Sequence, residues 1–260
     1  MPRFFVSSAM LQGSFAVLEG EQAAHAKVLR LGRGDEVILC DGQGLEYRCI
    51  VSDFSPGQVS LVIHSQEASR AEPRLQCSVY MGFPKADKLE HVIQKATELG
   101  AAGIVAFPCD RSVSRPDRKS LEKKLERWQK IAASAAEQSG RGRIPEVLAL
   151  NSFAEAVQRA SQAEFSALFY ENERTLSLKA AVEARPFATA AIMTGPEGGL
   201  TEAEDGRRRT PGCRSAPWVR VSCGARPRLC APCPPFFMRQ ANLLDFEHKD
   251  LIWIWLQTNI

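Results

Sequence analysis

From Leu75 onward the chain alternates short apolar strands with amphipathic helices until it reaches Met193-Thr-Gly-Pro-Glu-Gly-Gly-Leu200, and a few residues later the pattern stops. Such alternation is the mark of a mainly parallel sheet covered by its own crossover helices. Leu75–Met81, Gly103–Pro108, Phe165–Tyr170 and Phe187–Met193 read as the strands. Asp87–Leu99 reads as a helix with Leu89, Val92, Ile93, Ala96 and Leu99 on one face and Gly100 as its stop. Ser120–Ser139 is the longest helix, with Leu121, Leu125, Trp128, Ile131 and Ala135 at helical spacing and Gly140 behind it. Two capping boxes, Ser152-x-x-Glu155 and Thr201-x-x-Glu204, open further helices.

The residues after Asp205 cannot continue the second of these. The 28 residues Gly206–Cys233 hold seven Arg, four Pro and four Cys, with no Lys, Asp or Glu. Neither an amphipathic helix nor an alternating strand can be drawn through them. They contribute +7 to a chain whose net charge is only +3, which leaves the remainder acidic. Overall charge therefore makes no case for a nucleic-acid partner; only local basic patches can.

Residues 1–70 read as a separate β-rich module. Val37–Cys40, Glu46–Val51 and Val59–Ile63 are short strands set between Asp41-Gly-Gln-Gly44 and Ser55-Pro-Gly57, with one helix at Gly20–Arg30. Ser65–Pro73 is polar and aperiodic and reads as a linker. Arg3, Lys27, Arg30, Arg33 and Arg48 can meet phosphates, the alternative being a solvated mixed surface. Cys40, Cys49, Cys77 and Cys109 stand singly among apolar residues, as buried thiols of a reducing cytoplasm do. Met1–Val6 turns polar too soon for a signal peptide, and Leu251–Leu256 is too short to span a bilayer.

A strand running into a glycine-rich turn and then a capped helix presents backbone N–H groups and a positive helix end to a ligand. The glycine spacing in Thr194–Gly199 is neither that of a phosphate-binding P-loop nor that of the dinucleotide fingerprint, and a plain tight turn is the competing reading. Arg111, in Cys109-Asp-Arg-Ser-Val113, sits where a strand ends, a common place for functional side chains. His25 reads as a structural histidine. Lys123, Lys124, Arg127 and Lys130 read as the solvated face of the long helix.

Two further strings accompany the turn: Gly82-Phe-Pro-Lys-Ala-Asp-Lys-Leu-Glu-His-Val-Ile-Gln-Lys-Ala-Thr-Glu-Leu-Gly100 and Glu126-Arg-Trp-Gln-Lys-Ile-Ala-Ala-Ser-Ala-Ala-Glu-Gln-Ser-Gly-Arg141. With Pro2-Arg-Phe-Phe-Val6 and His25-Ala-Lys-Val-Leu-Arg30, they make about residues 1–205 resemble the RsmE family of bacterial 16S rRNA methyltransferases. The resemblance implies an α/β chain in which a small PUA-like β-barrel at 1–70 binds RNA and a SPOUT-type parallel sheet with a trefoil knot occupies 74–205. It implies a cytoplasmic homodimer, no metal and no membrane association. The reaction implied is methylation of N3 of a uridine in the 16S rRNA of the small ribosomal subunit, with S-adenosylmethionine as donor. The cofactor contacts implied are Phe169 and Tyr170 at the end of one strand and Thr194, Gly195, Pro196, Glu197, Gly198 and Gly199 in the turn. Arg111, Arg141 and Glu197 are the catalytic candidates, and Arg3, Lys27, Arg30, Lys85 and Lys95 the candidate RNA contacts. Glu98 and Gln138 fall in the matching strings as substrate or structural candidates.

The family continues with Leu-Gly-x-Arg-Ile-Leu-Arg-x-Glu-Thr-Ala and later Tyr-Ala-Thr-Gly, and this chain has neither. Yet the codons allowed for Pro217–Gly224, read from the third base, permit Leu-Gly-Pro-Arg-Ile-Leu-Arg. The same offset permits Glu-Thr-Ala across Ala225–Arg228 and Tyr-Ala-Thr-Gly across Phe237–Ala241. Three matches in one frame, at family spacing, identify residues 206–260 as a frame-shifted, non-native tail. The expectation is an incomplete knot, a donor pocket lacking one wall, and an inactive chain. Two alternatives stand beside it. One is a non-catalytic RNA-binding remnant in which only residues 1–70 fold. The other is a zinc protein using Cys213, Cys223, Cys230 and Cys233, whose spacing lacks paired Cys-x-x-Cys knuckles.

Overall fold

A computed structural model describes residues 1–113, 116–170, 182, 186–207 and 218–222. The chain gathers into two compact units, Met1–Glu72 with Gln129–Pro145, and Pro73–Trp128 with Glu146–Ile260.

In the first unit, β1 (Arg3–Phe5), β2 (Leu11–Gln12), β3 (Phe15–Glu19), β4 (Glu36–Cys40), β5 (Leu45–Ser55) and β6 (Gln58–Ala68) form one sheet in the order β1-β4-β5-β6-β3-β2. Only β1 and β4 run parallel. The long β5–β6 hairpin turns at Pro56-Gly57, with Gly57 at φ +80°, where a side chain would be strained. Its ladder slips between Arg48 and Cys49 and again between Val51 and Asp53, bulges that sharpen a sheet's twist. Alternate residues Val37, Leu39, Val51, Val59 and Leu61 point inward and are fully buried with Phe4 and Leu18. Ala23 and Ala26 of α1 (Gly20–Val28) join this core.

The linker expected at Ser65–Pro73 begins later than the sequence suggests, because Ser65–Ala68 is the end of β6, paired with Leu45–Arg48. Its polar composition hid it; an exposed strand end is held by backbone hydrogen bonds and needs no apolar alternation. Strands β1 to β3 went unread because two to five residues carry too little period to detect.

The second unit is a six-stranded sheet, parallel throughout, of β7 (Gln76–Gly82), β8 (Gly103–Phe107), β9 (Glu146–Ala149), β10 (Phe165–Tyr170), β11 (Thr189–Thr194) and β12 (Trp218–Ser222), in the order β12-β10-β11-β7-β8-β9. Strand residues alternate between two apolar layers. Tyr80, Val105, Phe107, Leu168, Ala191 and Met193 pack with α4 (Phe153–Ala160). Cys77, Phe165, Ala167, Ala190 and Ile192 face the other way with Val92 of α2 (Lys88–Glu98). Both faces are thus buried, as a parallel sheet requires. The remaining helices are α3 (Arg118–Gln138) and α5 (Glu202–Arg207).

Both capping boxes form. Ser152 Oγ accepts from the Glu155 amide at 3.2 Å, and Thr201 Oγ1 accepts from the Glu204 amide at 3.2 Å. Helix α3 ends as expected at Gly140, left-handed at φ +76°. One expectation is overturned: a five-residue strand, β12, lies within Gly206–Cys233. The Arg and Pro content of that stretch obscured five residues, Trp-Val-Arg-Val-Ser, rich in strand formers and free of proline. Helix α5 reaches Arg207, two residues beyond Asp205.

Candidate functional site

The chain leaves β7 on one side, towards β8 and β9, and returns on the other through β10 and β11. Ligands of open parallel sheets bind beyond the carboxyl ends of the strands at such a reversal. Three chain segments meet there: the turn after β11, and the segments after β7 and β8.

The turn is closed by a hydrogen bond from the Gly199 amide to the Pro196 carbonyl at 2.8 Å, with Gly199 at φ +68°. A β-carbon on Gly195 would lie 2.9 Å from the Gly199 carbonyl carbon, so the turn closes this tightly only around glycine. Gly82 is equally constrained. A β-carbon there would stand 2.6 Å from Cys109 Sγ and 2.7 Å from Pro196 Cδ, so this one glycine lets all three segments touch.

Side chains then fasten the turn. The Glu197 carboxylate accepts from the Lys85 amide at 3.1 and 3.2 Å and pairs with Lys88 Nζ at 2.9 Å. Burial pushes this carboxyl up, but the bonds from Lys88 and from the backbone amides outweigh it and hold the group below its ordinary range. Arg111 donates from Nη1 to the Gly198 carbonyl at 2.8 Å. Glu204, fully buried, accepts from the Asp110 amide at 2.8 Å and the Thr201 amide at 2.9 Å, joining the start of α5 to the end of β8. Thr201 Oγ1 lies 3.3 Å from Asp110 Oδ2.

The structure sets the two segments expected to contact a cofactor side by side. Phe169 is the register partner of Thr194, with Tyr170 one residue on, and Met81 is Thr194's partner on the other side. The Phe169 side chain is itself part of the apolar layer. Glu197 and Gly198 are exposed, whereas Pro196 and Leu200 are buried.

Of the catalytic candidates, Arg111 and Glu197 belong to this site. Arg141 belongs to the first unit and is buried, with Nη2 2.7 Å from Glu72 Oε2. Glu72 Oε1 also accepts from the amides of Gly142 and Arg143 at 3.0 Å each. Among the expected RNA contacts, Arg3 is largely buried, with Nη1 2.8 Å from Glu46, and Lys95 pairs with Glu98 at 2.8 Å. Lys27, Arg30 and Lys85 are exposed. Arg33 pairs with Asp53, and Arg48 with Glu67 at 2.9 Å. His25, exposed, stands edge-on to Phe4, with Nδ1 3.4 Å from Glu137.

Gly82, Lys88, Asp110 and Glu204 were missed as site residues. Only Glu204 carried a local signal, its capping box. Lys88 and Asp110 act through Glu197 and Glu204, 109 and 94 residues away, and Gly82 through Cys109 and Pro196 on two other segments, which no local pattern encodes. The four tail cysteines lie outside the described residues. Among the described ones, no three His, Cys, Asp or Glu side chains cluster closely enough to hold a metal.

A family described as an RNA methyltransferase domain matches residues 71–216, and one described as an RNA methyltransferase PUA domain matches residues 18–63. The chain is 35% identical over 238 residues to ribosomal RNA small subunit methyltransferase E of Bacillus subtilis, covering 88% of this chain and 90% of that protein. The corresponding protein of Mycobacterium tuberculosis is 31% identical over 205 residues, covering 77% and 78%. Among solved structures, a ribosomal RNA small subunit methyltransferase E from Neisseria gonorrhoeae, bound to S-adenosylmethionine, superposes with a TM-score of 0.74 at 28% identity, covering 87% of this chain and 90% of that one.

Proposed function

Because this chain belongs to the ribosomal RNA small subunit methyltransferase E (RsmE) family, we propose that its reaction is methyl transfer from S-adenosylmethionine to N3 of a uridine in 16S rRNA. The observation that carries this is the glycine turn Thr194–Gly199, set at the strand-order reversal and fastened to the ends of β7 and β8. The residues present fit the cofactor. Thr194, Gly195, Pro196, Glu197, Gly198 and Gly199 form a backbone-lined turn beside Phe169 and Tyr170, and the Neisseria gonorrhoeae relative was solved with the same donor bound. When bound, S-adenosylmethionine supplies an electrophilic methyl group on its sulfonium.

The chain's own task is to hold donor and acceptor in line and exclude water. Uridine N3 must also lose its proton, which needs an acceptor or a cation beside the developing anion. Glu197, held ionised by Lys88 and two amide contacts from Lys85, positions the turn rather than taking the proton. Arg141 is committed to Glu72. We therefore assign the developing charge to Arg111, exposed and tied to the turn through Gly198.

Residues 1–70 serve on this reading as the RNA-binding module and 74–205 as the catalytic domain. Lys27, Arg30 and Lys85 are exposed cations placed to meet RNA. The protein acts as a cytoplasmic homodimer, and the four buried free thiols among the described residues suit a reducing compartment. Residues 206–260 are the frame-shifted tail. In place of the family's Leu-Gly-x-Arg-Ile-Leu-Arg the chain offers Trp218–Ser222, which supports a second reading in which this particular chain binds RNA without methylating it.

The reaction is tested with the frame-restored chain, labelled S-adenosylmethionine and small subunits from cells lacking the modification. The expected product carries one methyl group on a uridine base and stops reverse transcription at that nucleotide. Label on a ribose or on another base would overturn the assignment.

A further inference from the structure

We propose that the first unit carries a phosphodiester-binding pocket in which Arg48 and Arg70 take one RNA backbone phosphate; the proposal rests on the RNA-binding reading of that unit. A cavity of about 290 Å³ opens there, lined by Arg3, Glu46, Arg48, Glu67 and Arg70, with the chain at Ala68 and Ala71. A single water needs only about 10–15 Å³ of such space, so the opening has ample room for a phosphate.

The sheet register explains why the charges gather. Glu46 and Glu67 are direct cross-strand partners on β5 and β6, and like charges so placed repel. Three guanidinium groups surround the two carboxylates, leaving one positive charge in excess. The two carboxylates are not satisfied alike. Arg3, 15% exposed, is committed to the buried Glu46 and to Cys40 Sγ at 3.0 Å, and forms the closed end of the pocket. Arg48 is about half exposed and bonds Glu67 through Nε alone, at 2.9 Å. Arg70 is 92% exposed and only reaches 4.0 Å from Glu67. Exposed pairs of this kind contribute about 0–1 kcal/mol, so a phosphate exchanges for Glu67 at little cost. Arginine's planar fork then makes the paired contacts to phosphate oxygens that a single carboxylate contact does not use.

The test measures binding of a fluorescein-labelled single-stranded 16S rRNA fragment by the full chain at a series of KCl concentrations. Each neutralised phosphate on a single strand contributes about −0.7 to the slope of log K against log salt. The R48Q/R70Q variant is expected to bind about tenfold more weakly at 0.1 M salt, with a slope shallower by about 0.7. E67Q, which removes the competing carboxylate, is expected to bind more tightly. If Arg48 merely balanced Glu67, E67Q would not tighten binding and the R48Q/R70Q slope would match the wild type; either result overturns the proposal. Competition by millimolar inorganic phosphate at constant ionic strength would reassign the pocket to the free anion. A wild-type chain that retains no RNA would instead overturn the RNA-binding reading itself.

Discussion

Strand β10 has two parallel neighbours of opposite character. On one side β11 pairs from Phe165↔Ala190 to Phe169↔Thr194 and runs into the glycine turn Thr194–Gly199. On the other, β12 pairs from Ser166↔Trp218 to Tyr170↔Ser222 using residues that read as frame-shifted. The two ladders are equally regular, because a parallel ladder is made by backbone groups and asks only for strand-forming residues. The turn beyond β11 asks for more: no β-carbon at Gly82 or Gly195, and a carboxylate at Glu197. A sheet edge therefore tolerates more sequences than such a turn does, and a strand in place beside β10 does not by itself make a donor pocket.

The largest expected effect breaks or confirms this contrast directly. Restoring the reading frame near codon 205 should return micromolar S-adenosylmethionine binding, measured by isothermal titration calorimetry. The present chain should bind at least about 100-fold more weakly, a difference of about 2.7 kcal/mol. Equal affinities would mean that the β12 flank needs only its backbone, and the contrast would collapse.

A smaller effect compares glycines on the two flanks. Gly82→Ala forces a β-carbon into Cys109 and Pro196 and is expected to cost about 1–3 kcal/mol, read as a lowered urea midpoint. Gly206→Ala, in α5 with nothing within 4 Å of the added carbon, should be neutral or stabilise by up to about 1 kcal/mol. A tolerated Gly82→Ala would show that the three strand ends are looser than their contacts imply.

The legibility of the sequence divides along the same line. The strand–helix alternation of the second unit could be read because its apolar residues repeat with the period of each element. The glycine turn stood out because tight closure leaves few residue choices. Strands β1 to β3 and β9 are two to five residues long, too short for a period to declare itself. The end of β6 is polar and held by pairing with a partner about twenty residues away in sequence. Arg141 looked catalytic because it sits in a family-matching string, yet its partner Glu72 lies 69 residues earlier and consumes it. Lys88 and Asp110 were passed over for the mirror reason: their roles depend on Glu197 and Glu204, which only folding brings near.

The smallest effect separates two carboxylates by the sign of their pH dependence and asks whether charge fastens the β11 flank. Glu197 is held below the ordinary value near 4.5, so its contribution to stability is complete above that value and fades as pH falls through the depressed one. Glu137 in α3 is displaced the other way, because burial raises it more than His25 lowers it. Its contribution is complete below the ordinary value and is lost as pH rises through the raised one. Glu197→Gln should therefore lower the melting temperature at pH 7 and approach the wild type in acid. Glu137→Gln should raise it at pH 7, with the difference again closing in acid. Melting curves from pH 3 to 7 decide the point. Parallel curves for Glu197→Gln and the wild type would mean that glycine geometry alone, without the Lys88–Glu197 pair, holds the turn against β7.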